Sequence, residues 1–241
     1  ALHRQFIQMA KQIQHLVQVN YVNEILTKDA QLEALKSQIS PHFLYNTLQT
    51  INWRAKAAGD STISQMVESL GTLLRASLSN RKPLVSLSYE LELVDSYITI
   101  QRIRFENRLA YQVNMDPEAA EGIIPPLTIQ PLVENAIHYG LEEMTEICHI
   151  YLQINVKDQV LIVQVKNEGS YFEDNLMEKL RQKQNASRGF GIGLLNIDQR
   201  IKLLFSDEYG LSLRNEDGFA VATITLPFQK EGAEDVKITD C

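Results

Sequence analysis

Apolar residues at Ile25, Leu32, Leu35, Ile39, Leu44, Leu48 and Ile51 recur at threes and fours, which predicts a long amphipathic helix. Ala58-Gly59-Asp60-Ser61 reads as a helix stop followed by a new N-cap. A second helix then runs through Ile63, Met66, Val67, Leu70, Leu73, Leu74 and Leu78, and Asn80 to Pro83 breaks it. A third opens at Ser88, with Glu90 and Glu92 in its first turn favouring the helix dipole. Leu91, Val94, Ile98 and Phe105 lie on one of its faces. The stripes of the first two helices are too wide for a lone hairpin to cover. Partner helices from a second copy are therefore expected.

After Asn107 the period changes. Leu109, Tyr111, Val113 and Met115 alternate as in a strand. Pro125-Pro126 opens a segment that reads as a helix ending at Gly140. Ile147 to Val156 and Val160 to Val165 read as two strands, and Leu211 to Leu213 with Ala220 to Leu226 as a hairpin around Glu216-Asp217-Gly218. The polar stretch Glu173 to Arg188 has no clear period and reads as a functional loop. A glycine cluster and a helix over Leu194 to Phe205 follow it, and Glu231 to Cys241 reads as a frayed tail. The expected class is α+β: helices first, then a domain with a mainly antiparallel or mixed sheet.

Composition narrows the function. The chain has 241 residues, 44% hydrophobic and 22% charged, which suits one or two globular domains. Its net charge of −7 argues against generic nucleic-acid binding. Cys148 and Cys241 are too few and too far apart for a disulfide framework or a Cys-x-x-Cys metal site. No apolar run approaches the roughly 18 residues of a membrane span, and the opening ALHRQFIQMAKQIQH reads as a polar helix rather than a secretory leader.

Three segments could carry chemistry. In Gln38-Ile-Ser-Pro-His-Phe-Leu-Tyr-Asn46, His42 follows a proline within a helical pattern. Seven residues at about 100° each put it within about 20° of Leu35, so spacing alone favours a core histidine at a kink. Imidazole is also a good nucleophile near neutral pH, and a kink could expose it. In Pro131-Leu-Val-Glu134-Asn135-Ala-Ile-His138, Glu134 and His138 share a helix face. A carboxylate, an amide oxygen and an imidazole together could hold Mg²⁺ and polarise a nucleophile, or could simply form a solvated polar face. In Arg188-Gly-Phe-Gly-Ile-Gly193-Leu, glycines lead into a helix N-terminus, the geometry of a phosphate site or of a flexible tight turn. No Gly-Lys-Ser/Thr follows and no strand precedes, which excludes a P-loop and a Rossmann fingerprint.

Taken in order, PHFLYN, PPLTIQPLVENAI and GFGIGLLNIDQRIKLLF resemble the LytS/YesM-like class of sensor histidine kinases, which carry a GHKL, or Bergerat-fold, ATP-binding domain. The resemblance runs from about Glu33 to Phe228 and displaces the core reading of His42. It implies that His42 accepts a phosphoryl group, that Asn135 ligates Mg²⁺, and that Glu134 is the acidic residue beside it. Gly189, Gly191 and Gly193 then close the ATP lid, with Arg181, Lys183 or Arg188 supplying positive charge. Asn46 stands where related kinases place a residue assisting phosphatase chemistry.

Three departures follow. Phe43 replaces the usual acidic residue after the histidine, so Glu134 becomes the candidate base. Asn167 stands where the Asp-x-Gly adenine motif has Asp, in Val165-Lys-Asn167-Glu-Gly169. An amide accepts without charge assistance, so weaker ATP binding is expected than a carboxylate would give. His138 replaces the lysine common three residues after the asparagine.

The implied organisation is a signalling coiled coil over 1–30, a dimerisation and phosphotransfer module over 31–107, an ATP-binding domain over 108–230 and a tail over 231–241. The implied activity is Mg-ATP-dependent autophosphorylation of His42 and transfer to an aspartate of a response regulator. The resemblance further implies a homodimer built on a four-helix bundle, no nucleic-acid partner, and the cytoplasmic portion of a membrane-anchored bacterial receptor. A GHKL ATPase without phosphotransfer and a degenerate kinase acting as a dimeric scaffold are the alternatives.

Overall fold

The computed structural model describes residues 40–78, 82–142, 147–182 and 191–230. The expected coiled coil over 1–30, the helical stretch up to Ile39, and Lys183, Arg188, Gly189 and the tail lie outside the described residues. The chain divides into two compact units between Ile51 and Asn52, inside the helix α1, Pro41–Ala57.

In the first unit the described chain opens on the first turn of α1. The Ser40 carbonyl accepts from the Leu44 N–H at 3.2 Å, and its hydroxyl accepts from the Phe43 N–H at 3.3 Å. Pro41 thus stands in the first turn, where its missing N–H has no intrahelical acceptor to lose. His42 is exposed there, not set in a core.

The second unit begins with the end of α1 and its turn into α2, Ser61–Leu78. Gly59 takes φ +74°. The Asp60 N–H reaches back to the Ala55 carbonyl at 2.9 Å and the Gly59 N–H to that of Lys56 at 3.1 Å, a Schellman stop. Asp60 Oδ1 then caps α2 by accepting from the Ile63 N–H at 2.9 Å. Side chains tie the two helices. Glu68 Oε1 accepts from Lys56 Nζ at 2.7 Å and from Asn52 Nδ2 at 3.0 Å, and Ser64 Oγ donates to Asn52 Oδ1 at 2.6 Å.

A short strand β1, Val85–Ser86, leads into α3, Leu87–Phe105, which packs against α2. Ser86 is the N-cap, two residues before the expected Ser88, and its Oγ accepts from the Tyr89 N–H. β2, Leu109–Met115, has the bounds the alternation predicts. β3, Ile123–Ile124, pairs antiparallel with β1.

The expected helix from Pro125 to Gly140 is shorter. Only Gln130–Ile137 is α-helix, here α4, and a π-helical turn, His138–Glu142, follows it. Pro125-Pro126 disfavours helical backbone before it, and Leu127 sits at φ +52°.

β4, Cys148–Lys157, and β5, Val160–Glu168, join through Asp158 and Gln159, both at positive φ. Within the expected loop after Glu173 lies a helix α5, Leu176–Gln182, whose Leu176 and Leu180 are half-buried. α6, Gly191–Leu204, starts three residues before the expected Leu194. β6, Gly210–Glu216, and β7, Phe219–Pro227, turn at Asp217-Gly218, φ 50° and 87°, as the hairpin pattern predicts.

The five-stranded sheet has the order β2-β4-β5-β7-β6, with β2 parallel to β4 and every other pair antiparallel. Alternation decides its faces. Cys148, Ile150, Leu152 and Ile154 of β4 and Leu161, Val163 and Val165 of β5 point into the core. Leu87, Val94 and Ile98 of α3, Leu132, Val133, Ala136 and Ile137 of α4, and Leu194, Ile197 and Ile201 of α6 cover that face. The result is a two-layer α/β sandwich preceded by helices, an α+β protein. α3, grouped by sequence with the helical module, shares the core of the sheet. Among the described residues no helix is long and apolar enough to cross a membrane.

Candidate functional site

The four apolar positions of α4 fix its rotation. With Leu132, Val133, Ala136 and Ile137 turned into the core, Glu134, Asn135 and His138 are left half-buried on the outer side. Gln130 Nε2 donates to Glu134 Oε1 at 2.8 Å. His138 stands edge-on to Tyr139, ring centroids 5.0 Å apart.

On the sheet side, period-2 alternation buries Asn167 at 3% exposure, the one polar residue of the inward row of β5. Its Nδ2 donates to Ser170 Oγ at 2.7 Å and to the Glu168 carbonyl at 3.2 Å. Gly169, φ +80°, makes the turn that brings Ser170 back to it. Asn135 and Asn167 line the same small cavity, together with Tyr139, Ser170 and Leu194. A larger cavity of about 250 Å³, bordered by Asn135, Tyr139, Tyr171, Glu173 and Leu180, continues from the same residues. Gly191 and Gly193 lie in the first turn of α6, with Leu194 on the cavity wall. The free N–H groups of such a turn suit an anion.

Asn135 brings one neutral oxygen, and among the described residues no three His, Cys, Asp or Glu side chains group as a metal site. That donor set fits a cation that takes its remaining ligands from phosphates and water, as Mg²⁺ does. Beneath the site, burial and then the Glu168 charge push the Cys148 thiol up to about 11.

His42 belongs to the other unit. Asn46 Nδ2 lies 3.3 Å from each of its ring nitrogens, one helical turn on.

Three comparisons bear on these residues. A histidine kinase family model matches residues 30–109, a span that includes His42. The sensor histidine kinase YesM of Bacillus subtilis is 42% identical over 231 residues, covering 95% of this chain and 39% of that protein. The chain belongs to the histidine kinase family, in its LytS/YesM-like class. The sensor protein LytS of Oceanobacillus iheyensis is 32% identical over 208 residues, covering 85% of this chain and 35% of that one. The chain thus spans roughly two fifths or less of the length of these relatives. Among solved structures, the Acinetobacter baumannii histidine kinase AdeS is similar at a TM-score of 0.44 and 16% identity, over 80% of this chain and 98% of that one.

Several residues at the site escaped the sequence reading. Tyr139 lines both cavities directly after His138. In the sequence Gly140 marks only a helix end. Glu90, Arg200 and Asp198 are buried or half-buried polar residues inside amphipathic helices, where spacing alone cannot tell a solvated face from a buried contact. Asp198, 2% exposed, accepts from the Leu211 N–H at 3.0 Å and from Lys202 Nζ at 2.8 Å, fastening α6 to β6.

Proposed function

We propose that the chain is the catalytic region of a sensor histidine kinase, transferring the γ-phosphoryl group of Mg-ATP to a ring nitrogen of His42. The observation that carries this reading is the meeting of Asn135 and Asn167 at one cavity beside the first turn of α6. Asn167 presents an amide to the adenine, and Asn135 an oxygen to the metal. The α6 N-terminus, with Gly189, Gly191 and Gly193 and with Arg181, Lys183 or Arg188, meets the phosphates. Mg²⁺ would neutralise phosphate charge in the transition state. A His42 nitrogen forms the new N–P bond as the bond from the γ-phosphorus to the bridging oxygen breaks and ADP departs. Glu134 is the proposed acceptor of the imidazole proton. The phosphoryl group then passes to an aspartate carboxylate of a response regulator, and Asn46, one turn after His42, is the residue proposed to orient a water for the reverse signal.

The exposed side chains of Phe43, Trp53, Ile63 and Leu70 support a homodimer built on α1 and α2. Attachment to a membrane sensor through further segments belongs to the same proposal.

Incubation with γ-labelled ATP tests the reading. Acid-labile, base-stable label is expected on the wild type and none on His42→Ala, with ATP affinity retained. ATP hydrolysis without protein label would favour the ATPase alternative. No nucleotide binding would favour the scaffold.

A further inference from the structure

α4 is a short helix with a difficult start. Its N-cap residue, Ile129, has helical backbone and no side-chain cap of its own. The turn before it holds Leu127 at φ +52°, a left-handed conformation disfavoured for a residue with a Cβ. Such a turn needs restraint from outside, and it receives it twice.

From α3, Glu90, fully buried, aims its carboxylate at the turn. Oε2 accepts from the Thr128 N–H at 3.0 Å and the Ile129 N–H at 3.1 Å, and Oε1 accepts from the Leu127 N–H. From α6, Arg200 Nη2 donates to the Leu127 carbonyl at 3.0 Å and to Thr128 Oγ1 at 3.2 Å. Thr128 is itself fully buried, and its hydroxyl donates to the Pro125 carbonyl at 2.6 Å. Glu90 takes the N–H side of the turn and Arg200 its oxygen side. A buried carboxylate is tolerated because three amides and a guanidinium surround it.

The geometry points to Glu90 and Arg200 as positioning residues for the nucleotide site. By holding Leu127–Ile129 they set the rotation and axial position of α4 and hence of Asn135. α6 carries Gly191 and Gly193 at one end and Arg200 further along, so the same turn registers the metal-side residue against the phosphate-side turn. Neither residue touches the nucleotide in this scheme. An α-helix advances about 100° per residue, so a small change in how the turn seats α4 swings the Asn135 oxygen away from a cation while leaving Asn167, on β5, in place.

This inference rests on the proposed Mg-ATP reading, and one titration separates the two. ATP affinity of the 241-residue chain is measured by calorimetry with Mg²⁺ and with EDTA, for wild type, Glu90→Gln and Arg200→Lys, alongside melting temperatures. In Glu90→Gln the Mg-dependent gain in affinity is expected to fall about tenfold, the scale seen when a metal ligand's supporting shell is altered. Affinity in EDTA should move by less than about twofold. Asn135→Ala added to Glu90→Gln should bring little further loss, as for two residues acting through one contact. Arg200→Lys, which keeps the charge on a stem too short to bring its nitrogen to the place of Arg200 Nη2, should show the same selective loss if Glu90→Gln fails to fold. A folded variant whose affinities with and without Mg²⁺ fall together, or do not change, overturns the positioning role and leaves the ATP reading standing. A wild type without Mg-dependent affinity overturns both.

Discussion

Gly140 and Cys148 are packed so closely that no side chain fits between them. A Cβ built on Gly140 would lie 3.3 Å from Asn167 Nδ2, 3.4 Å from the Glu168 carbonyl and 2.5 Å from Cys148 Sγ. The π-helical turn after α4 therefore passes directly against β4 and β5. The missing side chain is what lets the helix carrying Asn135 and the strand carrying Asn167 border one cavity.

Gly140→Ala is expected to destabilise the chain by about 1–3 kcal/mol, the usual cost of forcing a methyl group into a packed core. Because Asn167 is one of the atoms displaced, ATP affinity should fall as well. Thermal melting and nucleotide titration check both. An unchanged melting temperature would mean that the turn relaxes freely.

Asn167→Asp reverses what the sequence motif suggests. The residue is buried, and its amide nitrogen donates to Ser170 and to the Glu168 carbonyl. A carboxylate would set one oxygen against that carbonyl at about 3.2 Å and leave a desolvated charge. The expected outcome is a loss of about 1–2 kcal/mol in stability and no tightening of ATP. Calorimetry with the variant checks this. Tighter ATP binding would show that Ser170 and water re-pair the new oxygens.

Cys148 should be inert in the folded chain. Burial raises its thiol to about 11, so little thiolate exists at mildly alkaline pH. Iodoacetamide followed by peptide mass spectrometry should find Cys148 unmodified in the native chain and modified in urea. Rapid native modification would mean that the Gly140 turn opens.

The Lys56–Glu68 contact between α1 and α2 should fade in acid. Hydrogen bonds from Lys56 and then Asn52, with the Lys56 charge, hold the Glu68 carboxyl below its ordinary 4.5. A carboxyl lowered in the folded state stabilises above the unfolded value, and the contribution is lost as pH falls through the lowered one. Both side chains are more than half exposed, so the effect is small and screened by salt. Glu68→Gln should melt slightly below wild type near neutral pH in low salt, and the gap should close well below pH 4.5. A gap that persists in acid would assign it to packing.

Local chemistry was enough for much of this protein. The alternation from Leu109 to Met115 specifies β2 because a strand exposes and buries successive side chains whatever it pairs with. Gly59-Asp60 and Asp217-Gly218 specify turns because each needs a backbone or a cap that few other residues supply. Motif order identified the family, since three short segments in sequence carry more information than any one of them.

Tertiary structure decided what depends on neighbours distant in the chain. Sequence marks Glu90 as a first-turn acid favouring the helix dipole. Only packing reveals that it holds the turn leading into α4, thirty-seven to thirty-nine residues away. α4 is shorter than its apolar pattern because Pro125-Pro126 and the turn held by Glu90 and Arg200 occupy its expected first turn. A helical spacing reports which side chains share a face, but not whether that face meets water, a sheet or another helix's end. For the same reason the sequence named Asn135 and Asn167 separately. It took the α4–β5 packing, with Gly140 between them, to put both on the wall of one cavity.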